Sequence, residues 1–387
     1  MKKETAILAI GLFLTAGMGG CKPSVPQEDL ITVDVTTDHP KKELILQDFM
    51  DVEYIPLETN DEFITQAAVM AIGKEYIVAK NWANDGNIFI FDRKTGKAVR
   101  KINRRGQGAE EYAFINGIVL DEEKGEMFVN SASTKKIFVY DLSGNFKRSF
   151  EHTEGAEYLD VFDYDPDHLI RYDMSCYYKE GEQRGDKAYH AVVSKQDGRI
   201  TREIFIPFDV IKAPVVKKGD GFAVTSVRPI IPCHDHWLLV ETSSDTVYKY
   251  TPDGNKLTPF LAKTPSADPE ILLTMGTLTD RYYFMQTIKK VFDFTKMRGF
   301  PLTDLVYDKQ ENAVFEVSVF NDDFVKKQRV NLTSQPVNNE IATFQCLTAN
   351  QLVEANENEG LKGKLKEIAA GLDEESNPVI MLVKYKE

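Results

Sequence analysis

The stretch RRGQGAEEYAFINGIVLDEEKGEMFVNSASTKKIFVYDLSGNFKRSF, residues 104–150, decides the fold. Two short apolar runs flank the polar turn Asp121 to Gly125, and a second pair, IFVYD and the run ending at Phe150, flanks a turn at Gly144. Glycine at such a position supplies the positive φ that a tight hairpin turn requires. The runs lack strict polar alternation, as expected of strands covered on both faces. Two consecutive hairpins of this kind make a four-stranded propeller blade.

The unit recurs along the chain. IFIFDRKTGKAVRKI (88–102), IFVYDLSGNFKRSF (137–150), AVVSKQDGRITREIFI (191–206), TVYKYTPDGNKLTPFL (246–261) and LVYDKQENAVFEVSV (305–319) share an apolar run, a polar turn and a second strand. Their turn positions Gly96, Gly144, Gly198, Gly254 and Asn312 lie 48, 54, 56 and 58 residues apart, a mean of 54. A period of that length is the mark of a repeat architecture. The 344 residues from Leu44 to Glu387 hold six such units more comfortably than seven. The expected fold is all-β: a six-bladed β-propeller of four-stranded blades, with one short helical insertion near the C-terminus. ILQDFMDVEYIPLE (45–58) and PVIMLVKYK (378–386) are the strands expected to close the last blade from both ends, which removes an exposed sheet edge. The helix is read from Leu361, Leu365, Ile368 and Leu372, spaced for one face within residues 350–372.

The start of the chain gives an address. Two lysines precede the apolar stretch TAILAIGLFLTAG (5–17), which falls short of the roughly 20 residues a membrane span needs and reads as a signal peptide. Gly19 and Gly20 then stand directly before Cys21, which resembles the lipobox of bacterial lipoproteins, with Met18 where leucine is usual. That resemblance implies cleavage after residue 20 and acylation of Cys21, whose multiple acyl chains suffice for membrane anchoring. The expected organisation is a signal peptide over 1–20, a lipidated tether over 21–43 and the propeller over 44–387.

Residues 104–150, with Gly-x-Gly, Glu-Tyr, Gly-Ile-Val-Leu-Asp and Asp-x-x-Gly, resemble the repeat of NHL-type propellers. VEYIPLET (52–59), SNPVIMLVKYK (376–386) and the lipoprotein start together resemble the six-bladed β-propeller lipoproteins of Bacteroidetes, over nearly the whole mature chain. The resemblance implies an outer-membrane lipoprotein, facing the periplasm or the cell surface, and no particular chemistry.

Function is sought where the connections are long. The turns joining first to second and third to fourth strands are uniformly short, whereas 174–187, 207–221, 259–272, 294–303 and 320–337 vary widely. Long variable loops on one face of a rigid scaffold are where binding resides. Trp82, Arg104, Arg105, Tyr112, Tyr177 and Arg298 are the candidate ligand-binding residues there, and Glu111, Tyr178 and Phe300 share that face. Aromatic rings with arginine suit glycans, peptides or anionic groups.

Several chemistries drop out. A net charge of −13 argues against nucleic acid. Gly106-Gln107-Gly108 lacks the helix a phosphate loop needs, and no Gly-x-Ser-x-Gly or His-Glu-x-x-His occurs. Cys233-His234-Asp235-His236 is the strongest apparent metal motif, yet it sits in a short turn without a second ligand cluster, so no metal and no cofactor are assigned. Cys176, Cys233 and Cys346 permit at most one disulfide and read as small buried hydrophobes. Asp245-Thr246-Val247 resembles the tripeptide that Bacteroidetes glycosylate, with burial at a strand start as the competing reading. The leading expectation is a membrane-anchored, non-enzymatic binding or scaffold propeller for a glycan, a peptide or an envelope protein. The alternative is a calcium-type hydrolase or lyase in the channel, where Asn116 would be one of the groups needed.

Overall fold

The computed structural model describes residues 30–386. Six blades surround one axis. The first five take four antiparallel strands each in chain order, beginning at the axis with Ala68–Ile72, Gly117–Asp121, Tyr158–Asp165, Ile230–Pro232 and Ile271–Leu278, and in blade 5 a small hairpin is inserted between the second and third. The five turn positions read from the repeat all have positive φ, from 50° at Asn312 to 85° at Gly144. At Gly96 and Gly144 a Cβ would also collide with Pro56 O and the Ile102 side chain, so each turn tip tucks against the outer strand of the preceding blade.

The sixth blade joins the two ends of the chain. Val379–Tyr385 lies antiparallel between Ile341–Leu347 and Met50–Pro56. The place nearest the axis is taken by residues 331–337, which turn back through Asn338 to Glu340. Val337 N donates to Ile341 O at 3.1 Å, and the Ser334 and Thr343 hydroxyls meet at 2.6 Å. Before reaching this blade the chain lays Ile31–Val33 parallel along the outer strand of blade 4 and Lys41–Ile45 along that of blade 5. It therefore wraps three successive blades from outside.

Apolar side chains fill the gaps between blades rather than one central core. Six hydrophobic clusters occupy the six gaps, including Ile55, Ile380 and Leu382 of blade 6 against Ile77, Phe89 and Phe91 of blade 1. Closure of the ring thus rests on the same kind of packing as every other gap.

The single helix expected near the C-terminus is two: α1 (Ala349–Glu357) and α2 (Gly363–Ala369). Glu359 and Gly363 adopt positive φ of 53° and 52°, which no helix continues through. The expected apolar face survives the break, because Leu361, Leu365, Ile368 and Leu372 all pack on the gap between blades 5 and 6.

The connections divide by face. One face carries only short turns, such as 73–75, 122–125, 166–167, 233–236 and 279–281. The other carries 104–116, 174–189, 205–229, 290–301 and the helical segment 348–378.

Candidate functional site

The loop-rich face is the apolar one. Among the described residues, eleven of the fifteen exposed large hydrophobic side chains lie in its connections: Ile64, Trp82, Phe114, Tyr178, Phe205, Val210, Phe222, Val224, Val291, Met297 and Val325. None lies in the short turns of the other face. Surface apolar groups gathered on one side mark a contact surface, whereas scattered ones need no explanation.

Over blades 3 to 5 three of these connections are locked together. The hairpin Val215–Lys218/Gly221–Val224 meets the hairpin Phe292–Asp293/Arg298–Gly299 where the Phe294 ring packs on Gly221, with no room for a Cβ between them. Phe222 stacks on Tyr178 at 6.4 Å and 14°. Glu180 ties the loops from below, accepting from Ala213 N at 2.5 Å and pairing with Lys290 at 2.9 Å. Lys217, Lys218, Lys296 and Arg298 stand exposed on the two hairpins, a basic patch on a strongly acidic chain.

The structure separates the six residues selected from sequence. Trp82 is 75% exposed, and Arg105 and Arg298 are exposed. Tyr112 is not a surface residue: its ring is buried edge-on to Tyr140 at 5.9 Å, and its hydroxyl donates to Gly86 O and accepts from Arg104 N. Tyr177 is likewise buried, against Tyr172, while its neighbour Tyr178 is the exposed ring. Arg104 is exposed, but its Nε donates to Gly144 O at 2.8 Å and braces blade 2. Tyr112 and Tyr177 therefore hold blades rather than ligands. Cys21 lies outside the described residues.

A second feature lies on the axis. A cavity of about 970 Å³ runs from the starts of the inner strands, at Asn116 and Asp160, to the short turns at Lys74, Glu123, His234 and Pro252. Apart from Asn116, the last residue of 104–116, and the segment 331–337, none of its lining comes from the long connections. Blade 5 does not line it either, because residues 331–337 lie over the inner strand of that blade. Thr277 N donates to Leu332 O at 2.9 Å, and Gln335 and Asn339 reach across to Ile230 O and His234 O of blade 4.

Most carboxylates of this cavity are already paired. Lys195, buried, bridges Asp121 at 2.6 Å and Asp163 at 2.7 Å. Glu122 accepts three backbone N–H groups at Lys74, Glu75 and Tyr76. Glu340, held by Arg93 and Lys384, is drawn down to about 2. Asp160 differs: it has no hydrogen bond among the described residues, and burial pushes its carboxyl up to about 7 against the weaker pull of Arg228. Sequence reasoning missed this residue, since nothing local distinguishes it from the other acids of YLDVFDYD.

No three His, Cys, Asp or Glu side chains among the described residues converge as a metal ion requires. The Cys233-His234-Asp235-His236 turn lines the cavity mouth, with His236 bonded to Asp235 at 2.5 Å and burial pushing the Cys233 thiol up to about 12. Cys176, Cys233 and Cys346 are free thiols. Asn116 lines the cavity but spends its side-chain oxygen on Ala132 N at 2.8 Å. Asp245 is bound to Lys263, and Thr246 is half-buried in the strand that follows. No helix among the described residues is long and apolar enough to cross a membrane.

One known structure shares this architecture and a second is more distantly similar. A Bacteroides fragilis protein described as exported superposes with a TM-score of 0.56 at 13% identity, covering 92% of this chain and 99% of its own. A member of the duf4221 family from Bacteroides vulgatus gives a TM-score of 0.49 at 9% identity, covering 88% and 99%. No curated protein sequence matches the chain. The sequence model of the DUF5128 family, a 6-bladed beta-propeller, matches residues 25–342, most of the chain, and its blade count is the one the six packed gaps require. The chain belongs to that family of 6-bladed beta-propellers.

Proposed function

We propose that the mature chain is an exported, non-enzymatic envelope protein, tethered by lipid at Cys21, that holds a protein partner on its loop-rich face. The observation that carries this reading is the one-sided distribution of exposed apolar residues. Six of those eleven are aliphatic, and aliphatic groups suit a protein surface better than a sugar, which stacks on flat aromatic rings. The basic hairpins beside Tyr178 and Phe222 favour a partner surface that is apolar and acidic, since complementary charge steers association and selects the partner. An address in the envelope is supported by the signal-like start and by the exported protein of the same architecture.

The test places a photocross-linking residue at Tyr178, Met297 or, on the opposite face, Gly254, in the full chain in its native envelope. A discrete cross-linked protein from Tyr178 and Met297 but not Gly254 is expected, and it should weaken when Lys218 and Arg298 are changed to Glu. Cross-links confined to Gly254, or saturable oligosaccharide binding lost in Trp82→Ala, would overturn the reading. Loss of membrane association in Cys21→Ala tests the tether separately.

A further inference from the structure

The axial cavity is independent of the loop-rich face and has the form of a small-molecule site. Pockets that enclose such ligands span roughly 300–1,000 Å³ and combine apolar walls with a few fixed polar groups. Here the apolar wall includes Val161, Phe162 and Trp237, the last stacked on Tyr164 at 5.9 Å and 26°. The fixed polar group is Asp160. Pairing along its strand shifts between Tyr158 and Val161, and a bulge at that point re-aims the side chain relative to a regular strand. Its one counter-charge among the described residues, Arg228, donates to Thr333 O and is drawn more strongly by Asp304 than by Asp160. A carboxyl left without a hydrogen bond beside an apolar wall costs free energy that a bound cation would return.

We propose that this cavity binds an organic cation, an ammonium or guanidinium on an apolar stem, with Asp160 as its counter-ion. A metal ion fits less well, since no three ligating side chains among the described residues converge and the space far exceeds an ion. Aromatic and aliphatic walls instead suit the methylene stem of such a cation. Free polyamines and the lysine or arginine side chain of a peptide share this chemistry.

Titration calorimetry on the full chain in non-ionic detergent tests it, with spermidine, a short lysine-rich peptide, uncharged 1,8-octanediol and calcium as probes. Saturable binding of at least one organic cation and none of the diol is expected, with affinity falling tenfold or more in Asp160→Asn and unchanged in Glu367→Gln on the exposed side of α2. Spermidine binding the tighter identifies a free polyamine, and the peptide binding the tighter identifies a side-chain ligand. Should Asp160→Asn fail to fold, Val161→Trp fills the cavity without altering charge and should abolish binding. No saturable binding of either cation, equal affinity for calcium, or full affinity in the folded Asp160→Asn or Val161→Trp protein would overturn the proposal. Cross-linking from Tyr178 reports on the other face and stands or falls apart from these results.

Discussion

Asp160 shows how one residue ties stability to the site. Its carboxyl sits above its ordinary value, at about 7, because burial penalises the charge, and Arg228 and Tyr177 are the titratable groups facing it. An acid whose folded value is raised holds its proton more tightly when folded, so its ionisation costs stability from about pH 4 upward and in full above about pH 7. Asp160→Asn never meets that cost. The variant should match the parent near pH 4 and be more stable at pH 8 by about 1–4 kcal/mol, since each tenfold difference in proton affinity between the folded and unfolded chain is worth about 1.4 kcal/mol. Thermal melts across that range check it, and a lower melting temperature at pH 8 would refute the assignment. The residue scale is also where the sequence was least legible. Trp82 and Tyr178 are neighbours of polar residues and come out exposed, yet Tyr112 and Tyr177 look no different in sequence and are buried: the Tyr112 hydroxyl reaches the Gly86 carbonyl, and Tyr177 packs against Tyr172 between blades 3 and 4. The cavity gave little local signal, since its lining residues come in short runs from five separate blades and meet only at the axis.

Elements followed the sequence where local geometry is decisive and departed from it where distant contacts are. The five turn residues could be read because positive φ selects glycine or asparagine whatever surrounds the turn. The segment 331–337 could not, because it earns its place by contacts with other blades and makes no regular ladder. Gly276 holds the clearest of those contacts. A Cβ there would stand 2.5 Å from both Leu332 O and Thr333 Cα, backbone on backbone, with no flexible side chain to give way. Gly276→Ala should therefore destabilise the protein by about 1–3 kcal/mol, the usual cost of overpacking, and push 331–340 off blade 5. Hydrogen exchange of the Thr277 amide, which donates to Leu332 O, would quicken first. An unchanged melting temperature with a protected Thr277 amide would mean that the close approach does not form.

At the scale of the molecule, stability depends on closing the ring, and the two ends of the chain contribute unequally to it. Val379–Tyr385 is the middle strand of blade 6, buried from Val379 to Val383, and it feeds the gaps on both sides at once: Met381 and Val383 face blade 5, Ile380 and Leu382 face blade 1. Ile31–Val33 only adds an outer strand to blade 4, with Val33 and Val35 reaching into one gap. Ending the chain after Ser376 should therefore strip two of six interfaces, leave Met50–Pro56 with no partner strand, and expose edges that pair with other chains. The expected product unfolds without a single cooperative transition, binds a hydrophobic dye and aggregates. Starting the chain at Lys41 removes two valines from one gap and should lower stability by about 2–5 kcal/mol while the transition stays cooperative, since buried apolar side chains are each worth about 1.5–3 kcal/mol. Calorimetric scans of the two truncations decide the matter. If the C-terminal truncation melts as cooperatively as the N-terminal one, the blades stand as independent units and the clasp is dispensable. The opposite result makes the clasp the step that completes the ring, and with it both the cavity on the axis and the loop-rich rim above it.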